Sequence, residues 1–195
     1  MKALPSKFIL TKKPKEYLKQ GLTHCGAYSV KAIIEAFDKD YKKDPRDYHT
    51  FWLNRLIGTG LWRSYYVDIL KSFDLNAKAK EAKSLTDKEH LDLLKQLLST
   101  NNPVMIYVGN GYTKTGEYNK LRAALVGHWV TLWGYSDSEQ VFYVYDSAAP
   151  KKLYDNVPVG NKKRTYEQIL RDWKGAKITK FIWPWEYFYI EVKNQ

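Results

Sequence analysis

The chain of 195 residues is long enough for one domain, and its hydrophobic fraction of 44% excludes disorder over most of its length. A single cysteine excludes an intramolecular disulfide and a four-cysteine zinc site. The net charge of +11 comes from lysines spread along the chain. It predicts at most a weak attraction to anionic surfaces or nucleic acid, because no dense basic tract is present.

The first part of the chain is predicted to be mainly helical. Residues 1–17 are basic and include two prolines, which favours an extended arm that becomes ordered near Tyr17. Apolar residues at three- and four-residue steps predict a buried helix over residues 25–38. Two further helices, separated by a break at Gly58-Thr59-Gly60, are predicted around residues 48–56 and 62–73.

The middle of the chain contains one clear helix start. Thr86 followed by Glu89 has the spacing of a capping box, which predicts a helix over about residues 87–99. The preceding segment, residues 76–84, shows no clear period. A buried strand and then a loop with glycines and tyrosines are predicted at residues 104–108 and 109–125.

The last part of the chain is predicted to contain mostly antiparallel strands. Two strands around a turn near residue 138 form a hairpin, at residues 128–135 and 141–146. A loop over residues 147–164 leads to a second capping-box helix, and an aromatic strand region ends the chain at residues 177–192. Helices followed by antiparallel strands are typical of an α+β domain.

The sequence shows no signal for membrane insertion or export. No apolar stretch follows the first lysines, and no window is long enough to cross a bilayer. Together with the lone thiol, this predicts a cytoplasmic location. The oligomeric state is left open.

Cys25 is the first candidate catalytic residue because it lies where the strongest helix begins. A thiol must lose its proton to act as a nucleophile, and the amide donors at a helix N-terminus favour the thiolate. Gly26 beside it allows close approach of the backbone. The alternative is a buried structural thiol, which is common for a lone cysteine.

His128 is the preferred general base among the four histidines. It begins a strand after a loop and follows Gly127, which leaves room for substrate. His24 adjoins Cys25, and its side chain is expected to point away from the thiol. His49 is expected at the surface, and His90 is expected beside the leucine face of a helix without a catalytic role.

Two more residues complete the candidate site. In the predicted hairpin, Asp146 lies almost opposite His128, so its carboxylate can orient the imidazole; alternatively it caps the following loop. The side-chain amide of Gln20, five residues before Cys25, can donate a hydrogen bond to an oxyanion, with the Cys25 backbone N–H as the second donor.

Three segments together resemble papain-like cysteine peptidases. Residues 20–29, with Gln20 and the Cys25-Gly26 pair, resemble the start of that family's domain, and residues 127–135 and 141–147 resemble its histidine and aspartate strands. The closest similarity is to the bacterial peptidases that process bacteriocins by removing double-glycine leaders, and to their stand-alone relatives.

The resemblance implies a papain-like fold, in which a nucleophile helix from an N-terminal helical part packs on a mostly antiparallel sheet. The resemblance covers about residues 18–185, and residues 18–195 are predicted to form a single peptidase domain that follows the arm of residues 1–17. The resemblance implies hydrolysis of a peptide or protein substrate after small residues through a thioacyl-enzyme, with no cofactor. It also implies a catalytic triad of Cys25, His128 and Asp146, with Gln20 in the oxyanion hole.

Three alternatives use the same residues differently. An amidase, transpeptidase or transglutaminase-like enzyme would form the same acyl-enzyme but pass the acyl group to another acceptor. A basic binding module would keep a degenerate site. A zinc site could be formed by Cys25, His128 and Asp146, although Gln20 would then have no evident role.

Overall fold

The computed structural model describes residues 3–21, 23–38, 42–49, 51–58, 62–177 and 185–193. Across these ranges, helices pack against one antiparallel sheet. None of the helices in the described ranges combines the length and apolar character needed to cross a bilayer.

Five of the six α-helices in the described ranges begin within a few residues of the predicted positions; α5 was not predicted. Both predicted capping boxes are confirmed. The Thr86 side chain accepts from the backbone N–H of Glu89, and the Glu89 side chain accepts from the backbone N–H of Thr86; Thr165 and Gln168 make the same two hydrogen bonds. The α-helices are α1 Cys25–Phe37, α2 Trp52–Ile57, α3 Tyr65–Lys71, α4 Asp87–Leu98, α5 Lys120–Leu125 and α6 Tyr166–Asp172.

All pairings in the sheet are antiparallel. The spatial order of the strands is β2-β7-β3-β4-β5-β6, and β1 pairs with the far end of β4. The strands are β1 Lys7–Ile9, β2 Asn76–Glu81, β3 Val104–Gly109, β4 Gly127–Ser136, β5 Val141–Tyr145, β6 Lys162–Thr165 and β7 Phe188–Lys193.

Helix α1 packs on the central strand β4, and this contact sets the position of the helix start. Its predicted apolar face is buried, including Ala27, Val30 and Ile33. Because every residue of β4 after Gly127 is also buried, the strand is covered on both faces. The helix start is thus held rigidly against the start of the strand.

Gly26, the second residue of α1, is required by a close approach of the Tyr66 ring. A Cβ at residue 26 would lie 2.1 Å from Cζ of that ring, which is itself buried against Trp129 with the ring centroids 5.5 Å apart. We expect Gly26→Ala to lower the free energy of unfolding by about 1–3 kcal/mol, because overpacking must displace either the ring or the helix.

Thermal unfolding followed by circular dichroism measures this effect, and Gly21→Ala is the matched control. A Cβ at residue 21 meets no described atom within 4 Å beyond its chain neighbours. Equal melting temperatures for the two variants would show that the close packing at Gly26 is absent in solution.

Four segments differ from the sequence-based predictions. Order begins before Tyr17, because β1 already pairs with β4. Three predicted loops or unassigned segments contain the elements β2, α5 and β6. Strand β2 is an edge strand in which lysines alternate with alanines, so its period of two has little hydrophobic contrast. Helix α5 has only six residues, too few to establish a helical period in the sequence, and none of them is buried.

The helix predicted around residues 48–56 begins later, at Trp52. Tyr48 ends a short 3₁₀ helix and is buried, whereas Trp52 and Leu56 on α2 are 67% and 71% exposed. The helix ends at Ile57, and Gly58 follows in the left-handed conformation; Thr59 and Gly60 of the predicted break lie outside the described residues.

Candidate active site

Cys25 is the first residue of α1, and its position is defined by the turn that precedes it. His24 adopts a left-handed conformation with φ of 76°, and its backbone N–H donates to the carbonyl of Gly58 at 3.0 Å. The residue as a whole is partly exposed, and its sulfur receives backbone hydrogen bonds from Gly26 and Trp129. Two backbone donors directed at one sulfur favour its anionic form.

His128 and Asp146 are brought together by the β4–β5 hairpin. The Nε2 atom of His128 lies 2.9 Å from Oδ1 of Asp146, and both side chains are buried. Thr131 pairs with Tyr145, so residue 130 rather than residue 128 is in register with Asp146. The predicted register is therefore wrong by two residues. A shift of two keeps the side chains on the same face of the sheet, and the contact survives.

Both oxygens of the Asp146 carboxylate are occupied. Oδ1 also accepts from the backbone of Ala148 at 2.9 Å, and Oδ2 accepts from Nη2 of Arg164 at 3.0 Å. Burial alone would raise the pKa of Asp146. The charge and hydrogen bond of His128, the charge of Arg164 and the backbone hydrogen bond from Ala148 outweigh burial and hold this pKa well below its usual range.

The imidazole of His128 also contacts the thiol of Cys25 through a side-chain hydrogen bond. Since Nε2 faces Asp146, Nδ1 is the ring nitrogen left for the sulfur. Burial would lower the pKa of His128, but the charges of Asp146 and Cys25 raise it to about 10. Burial would likewise raise the pKa of Cys25, but His128 and the backbone donors lower it. The arrangement thus favours a thiolate–imidazolium pair.

Gln20 is buried next to this pair and is held by the residue that follows Asp146. Its side-chain Oε1 accepts from the hydroxyl of Ser147 at 2.5 Å, and its backbone N–H donates to the carbonyl of Ser147 at 2.9 Å. With Oε1 occupied, the Nε2 end of the amide is the free donor. Gln20, Cys25 and His128 line one cleft of about 590 Å³.

The other three histidines make contacts of their own, although His24 also lines the cleft that contains Cys25 and His128. His49 is buried rather than exposed as predicted, and its Nδ1 lies 2.7 Å from the hydroxyl of Tyr65. His90 is buried and stacks on Tyr187, with its Nε2 2.7 Å from the carbonyl of Ala82. His24 packs against His49 with ring centroids 5.1 Å apart.

Sequence reasoning missed three residues that support Asp146 and Gln20. Asn161 clamps the backbone of Asp146 with two hydrogen bonds of 2.8 and 2.9 Å. Ser147 and Arg164 bind the side chains of Gln20 and Asp146. Only Ser147 had a sequence signal, its position next to Asp146. Asn161 and Arg164 come from a segment assigned to a loop. In the described part of the chain, no group of three His, Cys, Asp or Glu residues is arranged to hold a metal ion.

Comparison with known proteins gives a family and a fold. The model of the Peptidase_C39 like family matches residues 11–177. No curated protein sequence matches the chain significantly.

Two solved structures are similar over almost the whole chain. One is a double glycine motif protease from an AMS/PCAT transporter in complex with the leader peptide. It is 16% identical, with a TM-score of 0.55 over 95% of this chain and 94% of that chain. The other is xylellain, a cysteine protease from Xylella fastidiosa. It is 14% identical, with a TM-score of 0.58 over 99% of this chain and 87% of that chain. These similarities confirm the predicted papain-like α+β fold.

Proposed function

The chain belongs to the Peptidase_C39-like family and is a cysteine-type peptidase, and we propose that Cys25, His128, Asp146 and Gln20 carry its chemistry. One observation supports this proposal above all. A single buried imidazole, that of His128, contacts both the Asp146 carboxylate and the Cys25 thiol. The three groups have the types and the order that thiol catalysis requires: nucleophile, base and orienter.

In the proposed reaction, the Cys25 thiolate attacks the carbonyl carbon of a peptide bond and forms a C–S bond. The negative charge that develops on the carbonyl oxygen is stabilised by the Cys25 backbone N–H and the Gln20 side-chain amide. The His128 imidazolium donates its proton to the leaving nitrogen as the C–N bond breaks. His128 then takes a proton from water, which attacks the thioester and releases the acid, restoring the thiolate and the imidazolium.

The pH dependence of alkylation tests the ion pair on which this mechanism depends. Because the pKa of Cys25 is lowered, iodoacetamide is expected to label the protein at about pH 6 roughly 10-fold or more faster than free cysteine. The labelling rate is expected to fall only at more acidic pH, where the thiolate is protonated. Mass spectrometry locates the adduct. A rate profile that follows an ordinary thiol would refute the ion pair.

Gln20→Ala is expected to lower kcat by about 10²–10³-fold, because one of the two oxyanion donors is lost. The rate of iodoacetamide labelling should change little, since alkylation forms no oxyanion. Steady-state peptide hydrolysis and labelling are measured on the same preparation. Gln96→Ala, on an exposed position of α4, is the matched control. A parallel loss of labelling and hydrolysis would point instead to a disturbed thiol.

The substrate is proposed to be a peptide or a protein segment that enters the cleft. The similar double glycine motif protease was solved in complex with a leader peptide, and the cleft of about 590 Å³ in this chain is large enough for several residues. An amine-incorporation assay beside peptide cleavage separates hydrolysis from acyl transfer. Products that contain the added amine would identify a transferase using the same thiol.

A further inference from the structure

Arg164 makes two contacts that the hydrolysis scheme does not require. Its Nη2 donates to Oδ2 of Asp146 at 3.0 Å, although Oδ1 alone already holds His128. Its guanidinium carbon also lies 3.6 Å from the centroid of the Tyr112 ring. The side chain of Arg164 is only 12% exposed. One planar cation thus touches the carboxylate behind the base and an aromatic ring on another segment.

That ring belongs to a small hairpin, residues 111–119, which forms one wall of the cleft. Tyr112 pairs with Tyr118 across the hairpin, and Thr113 donates to the carbonyl of Glu117 at 2.9 Å. Tyr112 lines the cleft that contains Cys25 and also a second cavity of about 440 Å³ that contains Asp146. A peptide bound at Cys25 would therefore press on the same side chain that stacks on Arg164.

The orientation of the Tyr112 ring is set by α6. Nη2 of Arg171 donates to the hydroxyl of Tyr112 at 3.0 Å, and Arg171 also stacks on Tyr118 at 3.5 Å. The hydroxyl of Tyr118 in turn donates to Asp172 at 2.9 Å. With its hydroxyl held on α6, the Tyr112 ring can hold the guanidinium of Arg164 in one plane. A carboxylate bound through both oxygens then cannot rotate away from His128.

We propose that Arg164 is a positioning residue that couples the hairpin of residues 111–119 to the Asp146 carboxylate, and through it to the His128 imidazole. This inference rests on the proposed function. It assigns the hairpin a role in catalysis as well as in binding. Substrate held under Tyr112 keeps Arg164 stacked, and Arg164 keeps Asp146 aligned. The coupling needs both the charge and the planar face of arginine, which lysine cannot supply together.

A double-mutant cycle on the full chain tests the coupling. Arg164→Met is expected to lower kcat for a peptide substrate by about 10–100-fold with little change in KM, and to slow iodoacetamide labelling of Cys25. Tyr112→Leu is expected to lower kcat several-fold while leaving labelling within about twofold, because the small probe does not press on the hairpin. The double variant should be no slower than Arg164→Met, since both changes break one contact.

Arg164→Lys keeps the charge beside Asp146 but loses the stacking. It is therefore expected to behave like Tyr112→Leu. If Arg164→Met does not fold, Arg164→Lys replaces it as the test of the coupling. Lys163→Met is the matched control, because it removes the neighbouring ion pair with Glu139 from the same strand without touching Asp146 or Tyr112. All kinetics are run below the lowest melting temperature in the set.

Three results would overturn the coupling. Arg164→Met could keep the wild-type kcat, or Arg164→Lys could be as active as the wild type. The third result is a double variant whose loss of kcat equals the product of the losses in the two single variants. Failure of the proposed function is seen separately. In that case the wild type itself would show no rapid labelling of Cys25 and no cleavage, whatever residue occupies position 164.

Discussion

Cys25→Ser is expected to lower kcat/KM for peptide hydrolysis by about 10⁴–10⁶-fold. A serine hydroxyl does not ionise near neutral pH, so the preformed anion opposite His128 is lost together with its nucleophilicity. The backbone donors from Gly26 and Trp129 remain but have no anion to stabilise. The substitution is small, and the variant should therefore fold and bind peptide as the wild type does.

The measurement is progress-curve kinetics on a peptide that the wild type cleaves, with peptide affinity determined separately by calorimetry. Unchanged affinity with lost turnover would assign Cys25 to the chemical step. Ser72→Ala, at the end of α3, controls for handling and folding. Turnover within tenfold of the wild type would exclude Cys25 as the nucleophile.

His128→Ala is expected to reduce kcat/KM by a similar factor, because the nucleophile loses its partner and the leaving nitrogen loses its proton donor. Two of the influences that lower the pKa of Cys25 come from His128, its charge and its hydrogen bond. Burial of the thiol persists in the variant. The pKa of Cys25 should therefore rise, and the labelling profile should move to higher pH.

The losses in kcat/KM caused by Cys25→Ser and by His128→Ala should not be additive in free energy. If the two residues act as one unit, the double variant is about as slow as either single variant. His90→Ala is the matched control, because it also removes a buried histidine, one that stacks on Tyr187 instead. A labelling profile identical to that of the wild type in His128→Ala would show that the imidazole does not stabilise the thiolate.

The candidate site could be predicted from the sequence where the apolar period of a helix or strand was clear. The apolar period after residue 25 locates α1, and hence a thiol at a helix start. The alternation of two strands around a short turn places His128 and Asp146 on one face even though the register is wrong by two residues. Gln20 was proposed only from its distance to Cys25 and from the family resemblance.

Helices and strands without a clear pattern of apolar and polar residues could not be predicted from the sequence. Strand β6 contains three consecutive cations, so its sequence is typical of a charged loop. In the structure each cation is paired with a carboxylate, of Asp155, Glu139 and Asp146 in turn, and the segment forms a strand. The carboxylates lie seven or more residues away along the chain. The local sequence of β6 therefore does not show that its positive charges are neutralised. Helix α2 shows that an apolar period predicts a helix without predicting its burial, because its Trp52 and Leu56 side chains are largely exposed.

The sequence by itself determined the candidate residues for catalysis and the face of each helix or strand that they occupy, because helical and strand periods are local properties of the chain. Only the tertiary structure decided that His128 contacts Cys25, that Ser147 orients Gln20, and that Arg164 joins Asp146 to Tyr112. These contacts span long stretches of chain, and they exist only once the sheet has placed its strands side by side.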